Sequence, residues 1–458
     1  MNTNTRKSSI AAGAMLAMFA GLAWAQEKGP EPARYTVIDL GVVGPSFASP
    51  GQPFVLTNNG LVSGEVVLPS GPSHGVIYYK GSTKDIGIPG LGGPNSAALG
   101  VNIFGQAVGQ ADTSARDPNG EDFCGSTALA LVHSGNTCLP FHWQDGAMRA
   151  LPTLRDESGR EGNNGQAWRI NNFSVAVGTS ENTTADSTCP GNPVSPQVFQ
   201  FKPVVWFRQF VWSKPVVHEL PTVSGDPDGI AFAINDAGQA AGASGSCGPF
   251  NSVSLTNLVP LHAVLWENGK PIDLSNLGGD GRFGGIYATG LNKLDQVVGV
   301  SDTINDASFH GFLWQEGHIT DLPPLAGDSY SYATAISDRG VVLGISLDAN
   351  FNARAVLWQN GIPVDLNTLI PVGSTLSLLT ACDINSSGEI IGIAMSASNA
   401  ETHAYLAIPR DTDTSRENAA SAGDGAISES TKLPENTREL IRRQWALLRS
   451  PVRPAQQQ

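Results

Sequence analysis

Six acidic residues are the side chains in this sequence whose type and spacing come closest to hydrolytic chemistry. They fall in two short stretches and are Asp117, Glu121, Asp122, Asp156, Glu157 and Glu161. A glycoside hydrolase holds two carboxyl groups about 5 to 10 Å apart, one as acid and the other as base or nucleophile. These six acids are therefore the candidate ligand-binding residues. The competing interpretation, which we favour, is a solvated acidic loop.

Other chemistry-bearing patterns are missing from the sequence. It contains neither the G-K-[ST] ending of a phosphate-binding loop nor a calcium loop of the D-x-[DN]-x-[DN]-G type. The cysteines lack the paired spacing of a zinc site. We therefore predict no catalytic residue, no metal site and no cofactor.

The elements that must position the acids are sequence repeats. A ten-residue phrase occurs seven times, at 55–64, 100–109, 169–178, 233–242, 290–299, 335–344 and 383–392, and three of its copies contain an exact N-x-x-G turn. Five copies keep its asparagine, as Asn102, Asn171, Asn235, Asn292 and Asn385. A second phrase follows each copy, and in five of them it ends in tryptophan, as Trp143, Trp212, Trp266, Trp314 and Trp358. A repeated period of this length is typical of propellers and solenoids.

Each repeat unit has the pattern of four short strands. A first strand of small residues precedes the N-x-x-G turn, in which asparagine stabilises the hairpin and glycine accepts a positive φ. The V-V-G segment forms the second strand and the H-A-V-L-W segment the third. A fourth begins seven residues after the aromatic in the first six units. Seven such units predict an all-β fold, a single seven-bladed β-propeller with four-stranded blades.

The seventh unit has no fourth strand of its own. The missing piece lies at the other end of the chain, as YTVIDLG at 35–41. Pairing of that N-terminal strand with the C-terminal blade closes the ring and leaves no unpaired edge. A β-solenoid is the alternative fold, although its repeats are usually shorter and more uniform.

Histidine and aspartate recur at fixed places in the repeats. The histidines that begin third strands are His74, His262, His310 and His403, and the aspartates of the fourth strands are Asp39, Asp85, Asp273, Asp321 and Asp365. Because each copy belongs to a different blade, we expect them to lie far apart. The pattern predicts structural roles, with the aspartates bracing turns.

These phrases together resemble the HAF family of probable extracellular repeat proteins. The resemblance covers roughly residues 35–408 and is strongest at 262–299 and 310–344; the unit around 139–178 departs most, with Ala150 in place of aspartate and Ser174 in place of glycine. It implies export and a β-structure built from repeats. It brings no activity and no catalytic residue.

Three units carry long insertions between their second and third strands, at 112–138, 181–207 and 243–261. In a propeller these loops share one face with the crossovers between blades, so we expect a raised wall on blades two to four. For an oxidising compartment the favoured pairing is Cys124 with Cys138 and Cys189 with Cys247, one of three possible connectivities. Cys382 is predicted to be a buried free thiol.

The two ends of the chain differ in composition from the repeats. Residues 1–25 have the pattern of a secretory signal peptide, with basic residues, an apolar run and an A-x-A site, and 26–34 form a leader. The repeats fill 35–409. A polar linker follows at 410–433, then an amphipathic basic helix at 434–449 and a tail at 450–458.

The net charge of the chain and its predicted export restrict the classes of molecule that it can bind. The chain has 41 acidic against 27 basic residues, and the excess lies in the repeats, which argues against a nucleic-acid partner. We expect an extracellular or periplasmic monomer that binds an envelope or extracellular glycan, polymer or protein without catalysis. The alternative is a secreted polysaccharide hydrolase or lyase. The helix at 434–449 has either a partner, an anionic surface or its own propeller to dock on.

Overall fold

The computed structural model describes residues 33–42, 54–120, 123–124, 134–189, 198–209, 213–247, 258–281, 285–398, 401–410 and 435. The predicted signal peptide, nearly all of the linker and the tail lie outside these residues. Of the predicted C-terminal helix only Glu435 is described, in a helical conformation and exposed.

Seven four-stranded antiparallel sheets make up the fold. The strand that precedes the repeats is β1 (Tyr35–Val42). Blade one contains β2 (Val55–Leu56), β3 (Val62–Val67), β4 (Ser73–Tyr79) and β5 (Ser82–Asp85); blade two contains β6 (Gly92–Val101), β7 (Ala107–Arg116), β8 (Asn136–Gln144) and β9 (Ala147–Ala150). Blade three contains β10 (Gly165–Ile170), β11 (Ala176–Ala185), β12 (Phe199–Phe207) and β13 (Val216–Glu219); blade four contains β14 (Asp228–Ile234), β15 (Ala240–Cys247), β16 (Leu258–Glu267) and β17 (Lys270–Asp273).

Blade five contains β18 (Tyr287–Leu291), β19 (Val297–Asp302), β20 (Phe309–Gln315) and β21 (His318–Leu322); blade six contains β22 (Tyr330–Ile336), β23 (Val342–Leu347), β24 (Ala353–Gln359) and β25 (Ile362–Asp365). Blade seven contains β26 (Leu376–Ile384), β27 (Ile390–Ser396) and β28 (Thr402–Pro409) together with β1. Two 3₁₀ turns span Ile304–Asp306 and Leu366–Leu369. The predicted seven-bladed propeller is therefore confirmed, and the solenoid alternative is wrong.

The ring closes through strand β1. It pairs antiparallel with β28, from Tyr35 opposite Pro409 to Val42 opposite His403, with one irregularity between Asp39 and Gly41. The predicted strand at 35–41 is thus the outermost strand of blade seven. This pairing joins the start of the propeller to its end and satisfies the backbone groups that an unpaired β28 would expose.

The final glycine of each V-V-G phrase lets the first two strands of a blade pack closely. A Cβ atom on Gly109 would lie 1.9 Å from the carbonyl oxygen of Ala97, and one on Gly344 would lie 1.9 Å from that of Tyr332. Neither position leaves room for a side chain.

The repeated tryptophans fasten the crossovers to the blades. The indole nitrogens of Trp206, Trp266 and Trp358 donate to the carbonyl oxygens of Pro152, Pro221 and Pro323 at 2.7, 2.7 and 2.8 Å. Each of these rings is about 1% exposed. Burial with the N–H bonded stabilises the blade without leaving a polar atom unsatisfied.

Blade three requires a correction. The phrase that ends at Trp212, residues 208–212, was predicted to be the third strand of this blade. That prediction is wrong, because β12 ends at Phe207 and Trp206 takes the place that Trp266 has in blade four. Trp212 itself lies outside the described residues. The spacing of seven from aromatic to fourth strand misled the assignment, since in this blade the hairpin between β12 and β13 is longer.

Candidate functional site

The candidate site is the face of the ring that bears the three insertions. We call it the insertion face and define it by the loops between second and third strands and by the crossovers between blades. The opposite side, the turn face, carries the hairpins between first and second strands and between third and fourth strands. Antiparallel order forces this division, because each strand reverses the direction of the one before it.

Asp117, a predicted ligand-binding residue, stabilises the insertion at 112–138 to which it belongs. It is 7% exposed, and its Oδ1 accepts the backbone N–H groups of Asn119 and Gly120 at 2.6 and 3.0 Å. Its Oδ2 accepts the amide of Asn164, on the next blade, at 2.6 Å. The carboxylate therefore fixes a loop and joins blades two and three.

The other predicted acids do not converge on a common point. Asp156 accepts Ser158 and Thr183, and the hydroxyl of Ser158 is the main cause that lowers its pKa to about 2. Glu161 pairs with Arg155, while Glu157 is exposed. Glu121 and Asp122 lie outside the described residues. Among the described acids the arrangement is that of turn braces.

Glu181, which the sequence-based search missed, is the acid that the fold places beside Asp117. It is 1% exposed, and its Oε2 accepts the same Asn164 amide nitrogen at 3.1 Å. Burial, and then the charge of Asp117, raise the pKa of Glu181 to about 7. Its place at the end of the second strand, opposite a blade junction, is not marked by any motif.

A second carboxyl pair lies at the next junction. Asp228 occupies the position of Asn164, since its Oδ1 accepts the N–H of Phe201 at 2.9 Å as that of Asn164 accepts Cys138 N–H at 3.0 Å. Its partner Asp186 corresponds to Asp117. Burial, and then hydrogen bonding and charge from Asp186, raise the pKa of Asp228 to about 8. At neutral pH the Asp228 carboxyl group is therefore held in its protonated form beside Asp186.

The disulfide prediction is confirmed for one pair. Cys124 and Cys138 are bonded, with Cα atoms 5.3 Å apart, and both are buried. Cys189 is also disulfide-bonded, while the side chain of Cys247 lies outside the described part of the chain. Cys382 is a buried free thiol, as predicted. Asp112 lies close to the Cys124–Cys138 sulfurs, but sulfurs joined in a disulfide are not metal ligands.

The recurring histidines occupy separate blades, as predicted. His74, His310 and His403 place Nδ1 at 2.8 to 2.9 Å from the fourth-strand aspartates Asp85, Asp321 and Asp39. In blade six Arg354 takes this position and lies between Asp328 and Asp365. Several of these aspartates also cap the backbone two residues on, for example Asp85 at Gly87. The pairs tie the third strand to the fourth.

A G-x-S-x-G spacing occurs once, at 71–75, and the structure shows that it is not a nucleophile elbow. Ser73 begins β4 and is 1% exposed, with a strand rather than a helix after it. An elbow presents its serine at an exposed turn between strand and helix.

The turn face is built around the repeated asparagines. Asn235 accepts the N–H groups of Ala237 and Gln239, which confirms the predicted turn role. It also donates to the carbonyl of Asn292 in blade five at 3.2 Å. The same bond to the following blade is made by Asn102, Asn171, Asn292 and Asn385. A chain of side-chain hydrogen bonds thus links neighbouring blades.

Two side chains of opposite charge, Arg169 and Asp383, lie on the innermost strands of blades three and seven and interact electrostatically. Arg169 donates to the carbonyl oxygens of Leu99 and Trp168, and burial lowers its pKa. Asp383, in blade seven, accepts the N–H of Leu56 at 3.0 Å, and burial raises its pKa. At the equivalent register the other blades carry glycine, alanine or valine.

In the described part of the chain no helix is long and apolar enough to cross a membrane. The Cys124–Cys138 disulfide is compatible with a protein outside the cytoplasm.

The fold is similar to propellers in several solved structures. These include the β-propeller domain of the Trilobed protease from Pyrococcus furiosus, with 9% identity, 78% of this chain and 95% of that chain covered and a TM-score of 0.45. A gluconolactonase from Xanthomonas campestris has 7% identity, coverage of 83% and 96% and a TM-score of 0.33. The sialidase of Trypanosoma rangeli has 8% identity, coverage of 79% and 55% and a TM-score of 0.38. No family model matches the sequence, and no curated protein matches it. These likenesses concern the fold alone.

Proposed function

We propose that this chain is an exported, non-catalytic β-propeller of the HAF-repeat type that binds an extracellular or envelope polymer or protein through its insertion face. The observation that carries the proposal is that the described acids of this face hold the insertions in place. Asp117, Asp156 and Glu181 are engaged by loop amides and hydroxyls, which leaves a braced surface of loops. A preorganised surface binds without an ordering cost.

The geometry favours binding over polysaccharide hydrolysis. Two neighbouring acids on this face, Asp117 and Glu181, accept from a single amide nitrogen and are almost wholly buried, and Asp186 and Asp228 are equally buried. A hydrolase needs both carboxyl groups in contact with substrate. Export rests on the signal-peptide pattern at 1–25 and agrees with the Cys124–Cys138 disulfide.

A screen of the purified protein against glycans and cell-wall polymers tests the proposal, with binding and product release scored in the same wells. We expect binding without turnover. The double variant Arg155→Ala/Glu157→Ala, both exposed on the insertion face, should weaken binding, whereas the matched turn-face variant Lys293→Ala/Asp338→Ala should leave it unchanged. Release of product, or equal losses from both variants, would overturn the proposal.

A further inference from the structure

Two phenylalanines stand out on the turn face. Phe104 and Phe173 are 67% and 72% exposed, and each lies in the hairpin between the first and second strands of its blade. They occupy the same position of the N-x-x-G turn in blades two and three. Their turns are directly joined, because the N–H of Ile103 donates to Asn172 at 3.3 Å and Ser174 donates to Gln106 at 2.7 Å. The two phenylalanines, which we call the phenylalanine pair, therefore lie on neighbouring, hydrogen-bonded hairpins of the turn face.

The chain leaves the propeller on this same face. Strand β28 ends at Pro409, and its ring would lie 3.4 Å from a Cβ atom on Gly388, in the inner hairpin of blade seven. The next residue, Arg410, donates to the carbonyl of Arg34 at 2.8 Å. The C-terminal segment thus starts at the turn face, two to three blades from the phenylalanine pair.

The amino-acid composition of the segment at 434–449 suits binding to these two exposed phenylalanines. Its apolar residues Leu440, Ile441, Trp445, Leu447 and Leu448 fall on one side of a helix, and its arginines flank them. A chain of 24 residues, the length of 410–433, spans on the order of 25 to 30 Å when it is a flexible coil, and a tether of that length holds its end at millimolar effective concentration. The arginines also suit a propeller with an excess of acids.

We propose that residues 434–449 dock on the turn face of their own propeller and cover Phe104 and Phe173. The docked segment shields two exposed aromatic rings and places Trp445 against them. It leaves the insertion face open, so this proposal does not depend on the function proposed above.

Hydrogen exchange measured by mass spectrometry on the full chain tests the docking. The segment 434–449 should exchange at least about tenfold more slowly than the same sequence as a free peptide, which corresponds to a docked fraction of about nine-tenths. Phe104→Ser/Phe173→Ser should restore the free-peptide rate. The control Ile304→Ser/Val372→Ser, which removes two exposed apolar residues from the insertion face, should leave the protection intact.

The reciprocal variant Trp445→Ala should speed exchange in the turns at 102–106 and 171–175 without altering the strands. Free-peptide exchange in the wild-type chain would overturn the proposal, as would protection that survives Phe104→Ser/Phe173→Ser. Protection that grows with protein concentration would assign the surface to a second copy instead. Protection that appears only with phosphatidylglycerol vesicles would assign the segment to a membrane. Either outcome refutes intramolecular docking.

Discussion

At neutral pH the buried carboxyl group of Asp228, beside Asp186, should destabilise the propeller. A single substitution at Asp228 should remove that cost. The pKa of Asp228 is raised from 3.8 to about 8, chiefly by burial and then by Asp186. In the unfolded chain Asp228 has a pKa near 3.8 and is ionised at pH 7, which is about three pH units higher. The folded chain holds the same group protonated, so folding at pH 7 must take up a proton. Each unit corresponds to about 1.4 kcal/mol, and the cost approaches 4 kcal/mol.

Asp228→Asn removes this cost because an amide needs no proton to donate to Asp186. Asn164 already makes the equivalent bond to Asp117 at the preceding junction, at 2.6 Å. We expect the variant to be more stable than the wild type by about 1 to 4 kcal/mol at pH 7. The gain should vanish below pH 4, where Asp228 is protonated in both states, and should level off above pH 8.

Urea unfolding at pH 3.5, 5, 7 and 8.5, followed by circular dichroism, measures the effect. The matched control is Asn164→Asp, which places a carboxyl group against Asp117 and Glu181. It should destabilise the protein at pH 7 by a similar amount and recover in acid. A gain from Asp228→Asn that does not change with pH, or a loss at pH 7, would refute the raised pKa of Asp228.

Two further predictions concern the hairpins of the turn face. Asn235→Ala removes two bonds to turn N–H groups and the bond to Asn292, and should cost about 2 to 3 kcal/mol in the free energy of unfolding by urea; Asn235→Ser, which keeps a turn acceptor, should lose less. Equal losses would mean that the turn acceptor contributes nothing, and would contradict the turn role of Asn235. Gly238 has a φ of 84°, so Gly238→Ser should lower the unfolding free energy by about 1 to 2 kcal/mol; a Gly238→Ser variant as stable as the wild type would contradict the strain. Ser174, at φ 61°, donates to Gln106, so Ser174→Gly relieves strain but loses that hydrogen bond and should change the stability by less than about 1 kcal/mol.

Local sequence patterns were sufficient to predict most of the fold. The N-x-x-G phrase encodes a hairpin, and the turns at Asn102 and Asn385 form as predicted because their side chains and glycines act within five residues. The strand at 35–41 was assigned to blade seven by counting strands, and its pairing with β28 is confirmed. Trp212 was misassigned because two aromatic residues lie six positions apart and only the strand pairing of Trp206 decides between them.

The candidate site was harder to predict. Sequence proximity suggested that acids from Asp117 to Glu161 would act together, yet in the structure Asp117 meets Glu181, 64 positions away. Asp228 and Asp186 carry no motif that marks them as a pair. Contacts across a blade junction join residues from separate repeats, so no local pattern records them.

By itself the sequence determined the number of blades, the order of strands within each and the closure of the ring. These follow from periodic hydrogen-bonding and turn requirements, which are local and repeat with the chain. Only the tertiary structure decided which carboxyl groups are buried together and which aromatic rings stay exposed. The pKa of a carboxyl group and the exposure of a ring depend on all the atoms that surround them, and at a blade junction some of those atoms belong to the neighbouring blade.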